Sequence, residues 1–201
     1  MTHAPVDPTN GNEPTYSFRP SVLGAPRNFR LSTGAIIWDA GRHSGQVDYA
    51  RVTRTRMSFR PAGTQNHRFV TEIWSHRGPK LTIVSSSWKS MAEQVRLDSE
   101  YRAFITELHR RLLAAGTRAR FDSGINPGAF WVGICVTVAA GFGLCGLIVR
   151  TMEAHAQTAA LLAGIFLAVF VWYAANYFRR NRPGHYRPDA LPELLLPTAK
   201  S

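Results

Sequence analysis

The sequence predicts an α+β protein: a small antiparallel β-sheet or barrel, closed by a C-terminal helix, followed by a two-helix transmembrane hairpin. The first observation is a set of strand-like segments between residues 29 and 85, with one helical stripe after them. The second is a pair of apolar runs, Ala129–Val149 and Thr158–Phe178, each 21 residues long and free of Asp, Glu, Lys and Arg. A helix of that length reaches roughly 31 Å, about the thickness of a bilayer core.

These patterns divide the chain of 201 residues into seven segments. They are a flexible N-terminal arm with five prolines (1–28), a β domain (29–116), a linker (117–128), transmembrane helix 1 (129–149), a short external loop (150–157), transmembrane helix 2 (158–178) and a basic tail containing proline and leucine (179–201). Helices that are apolar on every side are either fully buried or in lipid. The β domain must bury its own core, so the hairpin is assigned to the membrane.

Strand signals dominate the β domain. Phe29–Trp38 is β-rich, and Thr33-Gly34 within it predicts a break between two short strands. In Val47–Arg60, apolar and small residues alternate with arginines, which places the two sets on opposite faces of a sheet. Further strands are predicted at 68–74 and 81–85, each bounded by turn residues.

A helix follows the strands. Its apolar stripe is formed by Tyr101, Phe104, Ile105, Leu108 and Leu112. Either Ser99 or a capping box of Ser90 with Glu93 can start it, and Gly116 is a suitable C′ residue. We expect the stripe to close over one end of the sheet.

Strands first and one helix last, beside a membrane hairpin, resemble the pleckstrin-homology-like (PH-like) domains of small bacterial membrane proteins. The resemblance covers residues 29 to 116 and includes the segment Val47–Val52 and the strand exit Leu81–Trp88. It implies a binding or assembly module without catalytic residues. In this chain the domain precedes the membrane helices, whereas many such proteins place it after them.

The positions of the arginines predict the orientation of the hairpin. Four arginines lie before the first apolar run (110, 111, 118 and 120) and four follow the second (179, 180, 182 and 187), while the connecting loop has Arg150 alone beside Glu153. Lys and Arg accumulate on the cytoplasmic side of membrane helices. We therefore expect a multi-pass protein of the bacterial inner membrane with both termini in the cytoplasm.

Small residues recur at every fourth position in both apolar runs. They are Gly133, Thr137, Gly141 and Cys145 in the first and Ala156, Ala160, Gly164 and Ala168 in the second. Small side chains let membrane helices approach closely, so the two stripes are candidates for the contact between the helices; the alternative is that Gly and Ala are simply common there. Five residues near the helix ends are candidate interface anchors: Trp131, Trp172, Tyr177, Arg179 and Arg180.

A basic surface is the sharpest candidate site. Arg54, Arg56 and Arg60 share one strand face by parity, and Arg68 opens the next strand. Such a surface can contact anionic lipid headgroups or an acidic protein partner, or it can be a solvated strand face with no ligand. Nucleic acid is a weaker candidate, because the net charge of +11 is also explained by the arginines that flank the helices.

Catalytic and cofactor motifs are absent from the sequence. The seven histidines are scattered, both cysteines lie in the first apolar run, and no Walker or dinucleotide-binding fingerprint occurs. We therefore predict no catalytic residues, no metal, no cofactor and no enzyme activity, and a non-catalytic interaction module that presents the basic domain at the membrane. The alternatives are an accessory subunit that contacts a larger membrane complex through the hairpin, and a membrane enzyme with an unrecognised site.

The C-terminal tail has two possible roles. Its leucines at 191 and 194–196 are apolar in an otherwise polar segment with several prolines. They can dock on the β domain or on a partner, or the tail can be disordered slack.

Overall fold

The computed structural model describes residues 13–61, 67–90 and 93–198. It confirms the α+β class: antiparallel sheets come first, and two long apolar helices form a hairpin towards the C-terminus. One hydrophobic core runs through the two larger sheets and the helix that closes them.

The first sheet is an antiparallel meander of four strands. They are β1 (Thr15–Phe18), β2 (Arg27–Leu31), β3 (Ala35–Asp39) and β4 (Ser44–Asp48). The predicted break at Thr33-Gly34 is confirmed, since β2 and β3 pair on either side of it. Alternate side chains enter the core, and the rings of Phe18 and Phe29 stack with centroids 6.0 Å apart.

The second sheet begins as an antiparallel meander and is then extended by two distant strands. The meander is β5 (Val52–Pro61), β6 (His67–Ser75) and β7 (Leu81–Val84), and a small separate hairpin follows, β8 (Ser86–Trp88) with β9 (Gln94–Arg96). β10 (Arg120–Ser123) joins β5 in parallel, and β11 (Gly184–His185) joins β10 antiparallel. The order across the sheet is therefore β11-β10-β5-β6-β7.

Helix α1 (Asp98–Ala114) closes the core with the predicted stripe of five buried residues. It begins after Leu97, so the predicted starts at Ser99 and at Ser90 are both wrong; the Ser90 hydroxyl instead accepts from Glu93 N–H, 3.2 Å away, between β8 and β9. Gly116 has a φ of +61° and stops the helix as predicted.

Two helices follow the sheet domain, α2 (Pro127–Glu153) and α3 (Gln157–Arg180). Their apolar windows have mean hydropathies of 2.4 and 2.1, and none of either window is buried. By length and composition both can cross a membrane. They contain the predicted spans 129–149 and 158–178 and extend them, so that the connection is only the three residues 154–156.

Two predicted segments differ from the structure. The N-terminal arm contains β1, because Tyr16 and Phe18 supply apolar side chains to the core. The linker 117–128 contains β10, whose single apolar residue, Phe121, is also buried. Residues 1–12 of the arm lie outside the described residues.

The C-terminal tail docks on the sheet domain. Leu195 and Leu196 are only 2% and 4% exposed and belong to the core, and Tyr186 packs against it. The guanidinium of Arg102 donates to the carboxylate of Glu193 over 2.8 Å. Disordered slack is therefore wrong for this part of the tail, since its leucines are buried.

The helices of the hairpin touch along a seam that only partly follows the predicted stripes. Five predicted residues are half-buried: Gly133, Thr137, Gly141, Ala160 and Gly164. The other three, Cys145, Ala156 and Ala168, are exposed. Each step of four residues carries a stripe about 40° beyond one full turn of the helix, so a stripe with that spacing drifts out of the contact between the helices. The residues of the seam instead follow one another at alternating steps of three and four.

Among the glycines of the seam, the closest contact lies at the end beside the sheet domain. A Cβ atom at Gly133 would lie 3.2 Å from the ring of Phe178, whereas one at Gly141 or Gly164 would meet nothing within 4 Å. The predicted close approach at those two glycines is therefore wrong.

Candidate functional site

The candidate site is the outer face of the second sheet, where even-numbered residues of β5 and β6 lie side by side. Arg54 pairs with Trp74, Arg56 with Glu72 and Arg60 with Arg68. Residues directly opposite in an antiparallel pair point to the same side. The structure thus brings the four predicted arginines together; we call Arg54, Arg56, Arg60, Arg68 and Lys80, with Trp74 among them, the basic face.

Trp74 is the centre of the basic face. The guanidinium carbons of Arg54 and Arg56 lie 5.3 and 5.8 Å from its ring centroid, and the Lys80 ammonium lies 5.1 Å from it. Cations within about 6 Å of an indole are attracted by its ring quadrupole. The tryptophan therefore helps to hold three like charges close together.

Two buried carboxylates neutralise part of the basic face. Glu72 is 4% exposed, and its Oε1 lies 3.1 Å from Arg60 and 2.6 Å from Lys80. Asp122 of β10 is 5% exposed and accepts a hydrogen bond from Arg54. These contacts satisfy the carboxylates, so Arg54, Arg60 and Lys80 already have an acidic partner.

Arg56 and Arg68 have no carboxylate partner among the described residues. The Nε atom of each is buried and makes no hydrogen bond within the described part of the chain. Burial lowers the pKa of both guanidinium groups, and neighbouring arginines lower it further, while the charges of Asp122 and Glu72 act in the opposite direction on Arg56. Arginine nonetheless stays protonated in proteins, so these two side chains retain the capacity to bind an external anion.

The helical hairpin is clamped to the strand that carries these arginines. Asn181, directly after α3, is fully buried, and its Oδ1 accepts from Phe59 N–H over 2.9 Å. Its backbone oxygen accepts from Ile125 N–H over 3.2 Å, and Gly124 N–H donates to Met57 O over 2.8 Å. Both helices therefore leave the domain beside the C-terminal half of β5.

A cleft lies at this point, between the sheet edge and the two helix ends. Its volume is about 220 Å³, and its ionisable lining consists of Arg54, Arg56, Arg120, Asp122 and His185. Pro127 at the start of α2 and Pro183 after α3 complete it on the helix side. We call this space the junction cleft.

The predicted interface anchors fall into two groups. Trp131 and Trp172 are each 64% exposed on the helices, and Arg179 is exposed as well. Tyr177 instead packs against the domain core, and the guanidinium of Arg180 lies 4.8 Å from the centroid of the Phe59 ring. Tyr177 and Arg180 thus belong to the junction between hairpin and domain.

The sequence analysis did not identify several residues of the site, and a sequence pattern that could have identified them exists for only some. Trp74 and Glu72 follow Arg68 with a period of two, so parity along β6 points to them. Arg120, Asp122 and His185 had no such signal, because β10 and β11 are too short to show a pattern.

The arrangement suits the binding of an anion. In the described residues, no group of three or more His, Cys, Asp and Glu could hold a metal ion. The basic face offers fixed guanidinium groups and an aromatic platform, which bind planar or tetrahedral oxyanions.

No family model matches this chain, and no curated protein or solved structure is significantly similar to it. Its function must therefore be inferred from the geometry of the molecule.

Proposed function

We propose that this protein is a non-catalytic interaction module of the bacterial inner membrane, which holds a basic, PH-like β domain against the cytoplasmic leaflet. α2 and α3 cross the bilayer as a hairpin, and both termini lie in the cytoplasm. The basic face meets anionic lipid headgroups.

The membrane assignment rests on the two apolar helices. Their exposed sides carry many large apolar residues, such as Phe142 at 75% and Phe166 at 60% exposure. Proteins in water rarely expose an apolar surface of this extent. Arginines concentrate at the ends beside the sheet domain, and a domain on that side is cytoplasmic by the distribution of positive charge.

The clamp between the hairpin and β5 is the observation that carries the proposal. Asn181 and Gly124 tie both helix ends to the strand bearing Arg56 and Arg60, so the orientation of the basic face relative to the helices is fixed. Each arginine close to an anionic leaflet contributes on the order of 1 kcal/mol. Tethering adds a high effective concentration at the surface, so weak contacts suffice.

The order of elements supports the resemblance to PH-like domains. Antiparallel strands come first, and α1 then closes the core with Tyr101, Ile105 and Leu108 fully buried. In such a domain the packed core holds the strands in place, and the strands present the basic face.

Hydroxyl-radical footprinting of the full chain in lipid nanodiscs tests the proposal. One set of discs contains phosphatidylcholine alone, and the other contains one quarter phosphatidylglycerol. Oxidation of Trp74 reports on the basic face, and Trp88 on β8 is the control in the same molecule.

We expect anionic discs to protect Trp74 and not Trp88. The protection should disappear at 1 M salt, where the Debye length falls to about 3 Å. Equal oxidation of Trp74 in both kinds of disc would contradict lipid contact; co-purification of a partner that requires the hairpin would then favour an accessory subunit.

A further inference from the structure

The junction cleft lies at the depth of lipid headgroups if α2 crosses the bilayer, a condition that rests on the proposed function. With 27 residues, α2 is roughly 40 Å long, which matches a bilayer core together with its headgroup layers. Pro127, its first residue, therefore sits in the headgroup layer, and Pro127 lines the cleft.

Positive charge in the cleft exceeds what the protein itself neutralises. Three arginines (54, 56 and 120) line it against the single carboxylate of Asp122. That carboxylate is already occupied, since Arg54 donates to one oxygen and His185 Nδ1 lies 2.7 Å from the other. Arg56 and Arg120 have no acidic partner among the described residues.

The guanidinium of Arg56 is available to a ligand, because its side chain is only half-buried and lines the cleft. Its Nε–H is shielded from solvent, so contact with a ligand falls to the outer guanidinium nitrogens. The parallel register places Asp122 beside Arg56 and Arg120 beside Arg54, so the cations surround the cleft from two strands.

We propose that the junction cleft binds one phosphate group, and that its source is the headgroup of an anionic phospholipid in the cytoplasmic leaflet. Arg56 and Arg120 donate to the phosphate oxygens, a geometry in which arginine is especially effective. A cavity of roughly 10–15 Å³ holds one water, so a cleft of about 220 Å³ has room for a phosphate with water around it.

The helix side of the cleft fits the remainder of a lipid. Ile125, Pro127 and Pro183 give it an apolar wall that leads towards α2, along which a glycerol backbone can descend to the acyl chains. Free inorganic phosphate shares the headgroup's chemistry, but it would leave this wall unused.

Native mass spectrometry of the full chain, purified in a neutral detergent, tests the site. Phosphatidylglycerol is titrated in one arm, phosphatidylcholine in a second and inorganic phosphate in a third. The cleft variants are Arg56→Gln and Arg120→Gln. Arg118→Gln is the matched control, because Arg118 is exposed like Arg120 and lies two residues before it, yet it belongs neither to the cleft lining nor to the basic face.

We expect one molecule of phosphatidylglycerol to bind per chain, with a higher affinity than phosphatidylcholine. Its affinity should fall about tenfold in each cleft variant, as expected when a hydrogen bond to a charged group is lost, and by less than twofold in Arg118→Gln. If inorganic phosphate binds with the same dependence and phosphatidylglycerol does not, the phosphate site stands and its source is the free ion.

Equal affinities in the cleft variants and in Arg118→Gln would overturn the site. Arg120 is exposed, so its variant is expected to fold even if Arg56→Gln does not. Protection of Trp74 by anionic discs combined with equal lipid affinities would refute the cleft and leave the proposed function intact, whereas loss of that protection alone would refute the proposed function.

Discussion

Replacing Gly124 with alanine tests how firmly the hairpin is fixed to the sheet domain. Gly124 lies between β10 and α2 with a φ of +75°, a conformation that side chains with a Cβ rarely adopt. An added Cβ atom would lie 2.4 Å from the backbone oxygens of both Asn181 and Arg182. Backbone atoms cannot rotate aside, so the segment after α3 would have to move.

The Gly124→Ala substitution has two costs, the strain of the left-handed backbone and the clash with the segment after α3, and a control variant separates them. A left-handed residue with a Cβ costs about 1–2 kcal/mol, and forced overpacking adds about 1–3 kcal/mol. Gly116→Ala is the matched control, because Gly116 has a φ of +61° but open space within 4 Å of its Cβ position. Gly116→Ala should therefore lose only the first amount, and Gly124→Ala both.

Thermal unfolding of the full chain in detergent, followed by near-ultraviolet circular dichroism, measures the difference. One kcal/mol lowers Tm by about 2–4 °C in a protein of this size. We expect Gly124→Ala to unfold at a clearly lower temperature than Gly116→Ala. Equal losses would show that the segment after α3 is not held against Gly124, and the argument for a fixed basic face would fail.

Three further predictions concern the tail, a buried histidine and the helix seam. Leu195→Ala should lower the free energy of unfolding by about 2–5 kcal/mol, since Leu195 is 2% exposed, whereas its neighbour Leu194, at 56%, should tolerate alanine; equal values by denaturant titration would refute tail docking. Burial lowers the pKa of His109 to about 4, so the unfolded chain binds a proton that the folded chain does not between about pH 6.5 and 4. Lowering the pH from about 6.5 to 4 should therefore decrease the free energy of unfolding, and the decrease should be smaller in His109→Gln. Parallel pH profiles of the free energy of unfolding for the two proteins, measured by urea titration, would contradict this. Gly133→Leu should destabilise the hairpin by about 1–3 kcal/mol and Gly143→Leu should not, because only a Cβ at Gly133 meets a ring; equal Tm values would count against the described seam.

Features with a local repeat could be read from the sequence. The alternation in β5 placed Arg54, Arg56 and Arg60 on one face, and the helical stripe of α1 identified its buried side. Exposure departs from this alternation at Thr53, which a register shift between Val52 and Arg54 leaves exposed, and at Ser58, which shares the face of the arginines but is 1% exposed.

Features made by distant pairing could not be read in this way. β10 has four residues with one apolar side chain, and it is a strand only because Arg120 and Asp122 find partners in β5 more than sixty residues earlier. β11 is shorter still. The junction cleft depends on both, so local patterns indicated the basic face and gave no indication of the cleft beside it.

The central claim, a hairpin that crosses the membrane with the domain on the cytoplasmic side, is tested most directly by cysteine accessibility in intact cells. Cys135 and Cys145 are first replaced by serine, and single cysteines are then placed at His155, between the helices, or at Leu23, which is 99% exposed on the sheet domain. A membrane-impermeant maleimide should label the cysteine at 155 in intact cells and the cysteine at 23 only after the membrane is permeabilised. Labelling of position 23 in intact cells, or equal labelling of both positions, would contradict the account.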